Sequence, residues 1–299
     1  MRRNGLKMLK QVTKNIFLVE GKCDGRFPFC HSVLIRDKKT ALIETGCGRK
    51  RLKEIEKEFS PDFVVFSHIH PDHCAGSGAF PAERLWGPVE SEGTTGNVRR
   101  MAERLVTKEL GGDWISYMKK VPELDDFTVG NHFGNRHVFD FGDTILEAVH
   151  APGHTLDHYC FYVPHEKIML TTDIDFTAFG PWYANPESDI DSFIDSIQRV
   201  RGYDIKMVMS SHLGVIKNGI EQAFNRFLDA FEKREEQILH FLDKPRSIED
   251  FVEKALIYKK YPYVPSILRF FEAQMAEKHL KRLLSSGLVR KENHKFVRY

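Results

Sequence analysis

The run His68-Ile-His70-Pro-Asp72-His73 restricts this chain more than any other feature. It follows "DFVVFS", a continuous apolar stretch read as a buried strand. Four metal-capable side chains therefore sit on one loop at a strand end. A solvated polar turn is the competing reading, but packing has no use for four ligand types at this spacing. The i, i+2 step from His68 to His70 lets two imidazoles reach one ion from an extended loop. Asp72 and His73 lie one step further on and suit a second ion.

Three later positions share one property: an apolar strand runs straight into a metal-capable residue. They are His154 in "EAVHAPGHT", Asp173 in "IMLTTDID" and His212 in "VMSSHLG". Loops at one edge of an α/β sheet converge on one site, so these three can meet the first loop in space. Two cations need a shared anion, and Asp173 is the candidate bridge. His154 and His212 would complete the two shells. Two ions about 3.5–4 Å apart activate water and polarise the group it attacks, which is hydrolytic machinery.

The surrounding pattern predicts a layered α/β core. Strands are expected at "NIFLVEG", "CHSVLIRD" and "TALIETG", then a helix at "RKRLKEIEKEF" before the motif strand. Residues 88–137 read as an insertion, with helices at "VRRMAERLVTKEL" and "GDWISYMKKV" and a loop at "DDFTVGNHFGNRH". "SDIDSFIDSIQRV" predicts a helix capped by Ser188. "GIEQAFNRFLDAFEKREEQILHFL" predicts a long amphipathic one. Pro245 marks a boundary, giving a main domain over 1–243 and a module over 244–299. The module reads as a helix "SIEDFVEKALIYKK", a link "YPYVPS", a helix "FEAQMAEKHLKRLLSSG" and a hairpin turning at Glu292–His294, the outline of a winged helix. It carries 13 Lys and Arg against 6 Asp and Glu, a balance of +7, so the first 243 residues carry −5 of the chain's net +2.

Bulk properties exclude several classes. The five cysteines (Cys23, Cys30, Cys47, Cys74, Cys160) are scattered and form no CxxC pair, which argues against a thiolate zinc knuckle and a disulfide framework. The pattern predicts a reducing, cytoplasmic setting. Cys23 and Cys30 flank a hairpin-like "DGRFPF", where one bridge stays open as a reading. Cys74 reads as a small packing residue. "MRRNGLKMLKQ" lacks the apolar core of a signal peptide. No run approaches the ~18 apolar residues of a membrane helix.

In order and context, these seven residues resemble the metallo-β-lactamase superfamily over roughly residues 12–240. That resemblance implies a four-layer αββα sandwich with a dinuclear site at its edge, here followed by the small C-terminal helical module. It implies that His68, His70 and His154 bind one ion, that Asp72, His73 and His212 bind the other, and that Asp173 bridges. The ions implied are zinc, with manganese or iron(II) as alternatives. Asp72 would also orient the attacking water and accept its proton. The family's Asp-Thr-Gly reads Glu44-Thr45-Gly46 here, so Glu44 is expected to support a ligand from behind, as are His150 and His158. Trp182 and Tyr183 in "FGPWYANPESD" either line the substrate pocket or cover the core.

The leading reading is a metal-dependent hydrolase of an ester, thioester or phosphodiester. The C-terminal module resembles that of the β-lactamase-like-protein-2 group, some members of which are endoribonucleases acting on single-stranded RNA. There is a more distant similarity to glyoxalase II. Two other readings stay open at this level. One is an iron-dependent persulfide dioxygenase, which keeps the same histidines. The other is a nucleic-acid-binding regulator acting through the winged helix. The module also suits packing or a homodimer interface. No membrane partner is expected.

Overall fold

The computed structural model of the protein describes residues 8–299. The opening "MRRNGLK", considered above for a leader, lies outside them. Two sheets pack face to face. The first has seven strands in chain order: β1 (Leu9–Gln11), β2 (Ile16–Val19), β3 (Ser32–Arg36), β4 (Thr40–Ile43), β5 (Phe63–Val65), β6 (Leu85–Pro88) and β7 (Asn131–Phe133). The second has six: β8 (Val138–Asp140), β9 (Ile145–His150), β10 (Tyr159–Val163), β11 (Ile168–Thr172), β12 (Met207–Ser210) and β13 (Gly214–Ile216).

Side-chain alternation sorts the layers. In β3, Val33 and Ile35 enter the core between the sheets, while Leu34 faces outward under α1 (Arg49–Phe59) with Leu52 and Ile55. The inter-sheet core joins Ile16, Ile43 and Val65 to Phe139, Phe161 and Leu170. On the outer face of the second sheet, Cys160, Tyr162 and Met169 meet Phe193 and Ile197 of α5 (Ile190–Arg201), with Phe224 and Phe231 of α6 (Ile220–Phe241). Strands buried on both faces need continuous apolar runs, and these have them. The order helix, sheet, sheet, helix is the αββα sandwich expected from the resemblance.

The site lies where strands of like direction end. β4 to β7 run parallel. β9 and β11 are both antiparallel to β10, and β12 is parallel to β11. The loops after β5, β9, β11 and β12 therefore leave the same edge.

Several local expectations are corrected. "DDFTVGNHFGNRH" is not all loop, because Asn131–Phe133 adds to the first sheet beside β6. β13 was not anticipated at all. Asp189, not Ser188, caps α5 by accepting the Ser192 amide at 2.8 Å. Between β6 and β7 lie α3 (Val98–Leu105) and α4 (Gly111–Lys120). Near the C-terminus, α7 (Ile248–Lys254) stops early at Ala255, which has φ 50°. By contrast α8 (Pro265–Ser285) starts in what was read as a link, since a proline at the first helical position loses no hydrogen bond. The last two strands, β14 (Val289–Glu292) and β15 (Lys295–Arg298), form the expected hairpin. Ile238 and Leu242 at the end of α6 join α7, α8 and the hairpin in one cluster with Phe251, Leu280 and Phe296. No helix among the described residues is long and apolar enough to cross a membrane. All five cysteines are free, and only Cys23 is exposed.

Candidate metal centre

Each of the seven residues stands just beyond a strand end. β5 leads to His68 and His70, and the single turn α2 (Pro71–Cys74) carries Asp72 and His73. β9, β11 and β12 lead to His154, Asp173 and His212. The register of β11 against β12 shifts between Leu170 and Thr172, and Thr172 has φ 48°. Such an irregularity re-aims the next side chain, which is Asp173. The seven fall into two groups, His68, His70, His154 with Asp173, and Asp72, His73 with His212. Within each group the ligand atoms lie within 4.8 Å of one another.

The outer nitrogens of three rings are tied to acceptors. His154 Nδ1 donates to the Trp182 carbonyl at 2.8 Å, and His212 Nδ1 donates to the Gly25 carbonyl at 2.6 Å. His70 Nε2 donates to Asn185 Oδ1 at 2.6 Å, and Asn185 Nδ2 donates in turn to the Leu105 carbonyl at 2.9 Å. A carbonyl oxygen only accepts, so each outer nitrogen carries the proton, and in the neutral form of each ring the inner nitrogen presents a lone pair. His70 Nδ1 then faces His154 Nε2 at 2.9 Å and His68 Nε2 at 3.0 Å. Burial, reinforced by neighbouring imidazoles, pushes His68 and His70 well below the usual histidine range, so both are neutral. Buried lone pairs aimed at one another repel unless a cation lies among them. This donor set fits a metal ion.

Asp173 faces the two groups with different oxygens. Its Oδ2 lies 3.2 Å from His154 Nε2 and 3.8 Å from His68 Nε2. Its Oδ1 lies 2.9 Å from His73 Nε2 and 3.6 Å from His212 Nε2. Burial would raise its pKa, but the charge on His73 and contacts from His154 and His212 hold it well below the carboxylate range. Asp72 Oδ2 stands 3.6 Å from both His73 Nε2 and His212 Nε2. Asp173 Oδ1 and both ring nitrogens of His73 are buried without a hydrogen-bond partner. Unpaired buried polar atoms are costly, and a second cation in their midst would satisfy them.

The supporting residues differ in what they touch. Glu44, buried with φ 67°, brings Oε2 to 3.4 Å from both His73 Nδ1 and the Ser67 amide. Gly46 passes so close beneath the motif loop that a Cβ would stand 1.4 Å from the Asp72 carbonyl oxygen. His158 donates from Nδ1 to the Ala151 carbonyl, and its Nε2 accepts the Asp173 amide at 3.2 Å. Burial lowers its pKa to about 3, so it stays a neutral support. His150 hydrogen bonds the Leu156 carbonyl and packs on Tyr159, and neither belongs to the seven. Two residues were missed from sequence. Ser188 donates to the His154 carbonyl at 2.6 Å, and Asn185 orients His70. Neither had a signal beyond lying in the polar loop before α5.

A cavity of about 770 Å³ opens over both groups, bordered by His70, Asp72, His154, Asp173 and His212. Trp182 lines it, with its ring 5.2 Å from that of His70. Tyr183 does not. It is fully buried, and its hydroxyl meets His279 and Arg234 instead.

Residues 25–212 match the family model described as the metallo-beta-lactamase superfamily. Among curated proteins, an atrochrysone carboxyl ACP thioesterase of Passalora fulva is 35% identical over 222 residues, which is 70% of this chain and 56% of that protein. A protein of the same name from Aspergillus fumigatus is 24% identical over 204 residues, covering 66% of this chain and 54% of the relative. The chain thus spans little more than half the length of these two relatives. Among solved structures, a metallo-beta-lactamase family protein from Thermus thermophilus superposes with TM-score 0.73 at 17% identity, covering 97% of this chain and 100% of that one. A beta-lactamase domain protein from Burkholderia ambifaria gives 0.71 at 16%, covering 97% and 93%. At these identities the structural likeness speaks for the fold alone. The family match takes in more than half of the chain and contains all seven converging residues, and on that ground this protein belongs to the metallo-beta-lactamase superfamily.

Proposed function

We propose that this protein is a two-metal hydrolase that cleaves a carboxylic ester or thioester of a small molecule. The observation that carries this reading is the pair of inward lone pairs, His70 Nδ1 and His154 Nε2, 2.9 Å apart beside a carboxylate whose two oxygens face different groups. His68, His70 and His154 would hold one ion, and Asp72, His73 and His212 the other, with Asp173 shared. Nitrogen and carboxylate donors of this kind suit zinc, with manganese and iron(II) as alternatives. When bound, two such ions supply the Lewis acidity that makes water nucleophilic near neutral pH and polarises a carbonyl. The chain's own groups do the rest. Asp72 orients the attacking water and takes its proton. Asn185 and the carbonyls of Trp182 and Gly25 keep the imidazoles aimed inward.

Two observations favour a small acyl compound over RNA. Among the described residues, Arg26 is the one Lys or Arg lining the cavity, beside the histidines His31, His70, His154 and His212, against the acids Glu20, Asp24, Asp72, Asp173 and Asp175. A strand of phosphates needs the opposite balance. The order α6, a bridge at Arg246, α7, α8 and a hairpin supports reading residues 244–299 as a winged helix. Yet the first turns of α8, at Ile267, Leu268 and Phe271, line this cavity, and its later turns bury Met275, His279 and Leu283. That helix is committed to the protein's own interior. The thioesterase names of the relatives point the same way.

The test is to load the protein with zinc or manganese and offer a thioester, an ester, bis-p-nitrophenyl phosphate and single-stranded RNA, with an oxygen electrode run on a persulfide. Turnover of the thioester or ester, abolished by a chelator, is expected. RNA cleavage without ester turnover, or oxygen uptake with the persulfide, contradicts the proposal.

A further inference from the structure

The cavity has two unlike ends. Its exposed rim carries Arg26, Phe27 and Leu213, with Glu20 and Asp24 nearby. Its deep end is walled by the buried side chains Leu105, Trp114, Met118 and Ile267. The two sheets supply the seven converging residues, but they do not supply this deep wall. One side comes from the end of α3 and from α4, between β6 and β7. The other comes from residues 258–271, beyond the matched family region.

These two pieces are fixed to each other and to the metal ligands. The rings of Tyr117 and Tyr263 stack at 6.1 Å with 9° between planes, and Ser266 Oγ donates to Asp113 Oδ2 at 2.8 Å. Ile267 packs in one cluster with Trp114 and Met118. Glu272, fully buried, accepts the amides of Ile257 and Tyr258 at 2.9 and 2.8 Å, which secures the start of the segment. Trp182 Nε1 donates to the Tyr258 hydroxyl. The Trp182 ring also lies 5.2 Å from His70, 5.6 Å from His154 and 5.1 Å from Phe271. One aromatic ring thus spans from the first histidine group to the appended wall. The wall is preformed.

We infer that the deep end is an acyl subsite built jointly by the α3–α4 pair and the C-terminal segment, and that the substrate carries a bulky apolar acyl group. This inference rests on the ester or thioester reading above. A thioester or ester has an apolar acyl part and, when the leaving group is a carrier arm or cofactor, a polar part. The polar part holds amides and charges that lose their water partners in an apolar pocket, so it belongs at the exposed rim. The acyl part gains from every buried methylene, roughly fourfold each. A carbonyl placed at the histidine and aspartate groups therefore directs its acyl chain across Trp182 and between Trp114 and Ile267. The balanced reaction is simple hydrolysis. Water adds to the carbonyl carbon, the bond to sulfur or oxygen breaks, the thiol or alcohol leaves with a proton, and the acid remains. The role of the C-terminal module is then to set acyl preference.

The experiment compares acetyl, octanoyl and naphthoyl thioesters of N-acetylcysteamine on the metal-loaded full chain, together with calorimetric binding of the three product acids. The inference predicts kcat/KM for octanoyl and naphthoyl roughly a hundredfold or more above acetyl. It predicts that Ile267→Trp, which fills the deep end, lowers the octanoyl-to-acetyl ratio at least tenfold while two metals remain bound. Tyr263→Ala, a substitution at a half-exposed position, should lower the same ratio if Ile267→Trp fails to fold. Equal rates for acetyl and octanoyl, or ratios unmoved in the folded variants, overturn it. If no thioester is hydrolysed, the product acids decide. Octanoate binding well above acetate, weakened in the variants, keeps the subsite and removes the hydrolase reading. Equal binding removes the subsite.

Discussion

Asp173 Oδ1 stands 2.9 Å from His73 Nε2, and neither atom is aligned in a hydrogen bond. The two groups attract as charges. Burial would strip His73 of its proton, but Asp173, Glu44 and Asp72 surround it and hold its pKa well above the usual range. His212 likewise resists burial through its contact with Asp173 and rises to about 9.

Metal-free protein at pH 7 therefore holds titrating protons on His73 and His212 and none on His68 or His70. A metal must expel those protons to bind at His73 and His212. A raised pKa means the proton is bound below about 9, so competition weakens as pH rises toward that value. Zinc titrations at pH 6, 7.5 and 9 should show a first equivalent that changes little and a second that tightens steadily, with protons released to a pH dye on the second step. Two equivalents with identical pH dependence would contradict the assignment.

Asn185→Ala should weaken the first metal without unfolding the chain. It removes the acceptor that keeps the proton on His70 Nε2 and the link from that ring to the Leu105 carbonyl. Loss of an outer partner of this kind lowers metal affinity by about 10–100-fold. Chelator competition measures it, and unchanged affinity for both equivalents would remove Asn185 from the site.

Arg234→Leu should cost stability and loosen His154. The buried Arg234 guanidinium donates to the carbonyls of Phe179 and Pro181 and to the Tyr183 hydroxyl. Those residues hold the loop whose Trp182 carbonyl accepts His154 Nδ1. Hydrogen bonds to a charged group contribute about 1.5–3 kcal/mol each, and the loss leaves carbonyls unpaired. A drop in denaturation free energy of roughly 4 kcal/mol or more, together with weaker first-metal binding, is expected. A variant as stable as the parent would refute the pinning role.

Much of this was legible before the structure. Histidines and an aspartate at strand ends are conspicuous because packing gives them no reason to be there, and α1, α5 and α6 announce themselves through helical periodicity. β7 and β13 were not legible. Each is three residues long, and its strand state is imposed by a neighbour's hydrogen bonds rather than by its own pattern. The first turns of α8 hid behind Pro265, which reads equally as a link or as a helix start. Asn185 and Ser188 look like ordinary turn residues, because orienting a ligand demands only one oxygen at the right place. Tyr183 and Trp182 are adjacent and similar, yet only Trp182 lines the cavity, since neighbouring residues of an extended loop point to opposite sides.

The bridging role of Asp173 is open to the most direct measurement: metal content per chain, with thioester turnover, in the parent, in His68→Ala and in Asp173→Ala. Two equivalents and turnover that climbs with the second equivalent are predicted for the parent, with metal and hydrolysis both lost in either variant. Two ions retained per chain in Asp173→Ala or His68→Ala would contradict the shared centre.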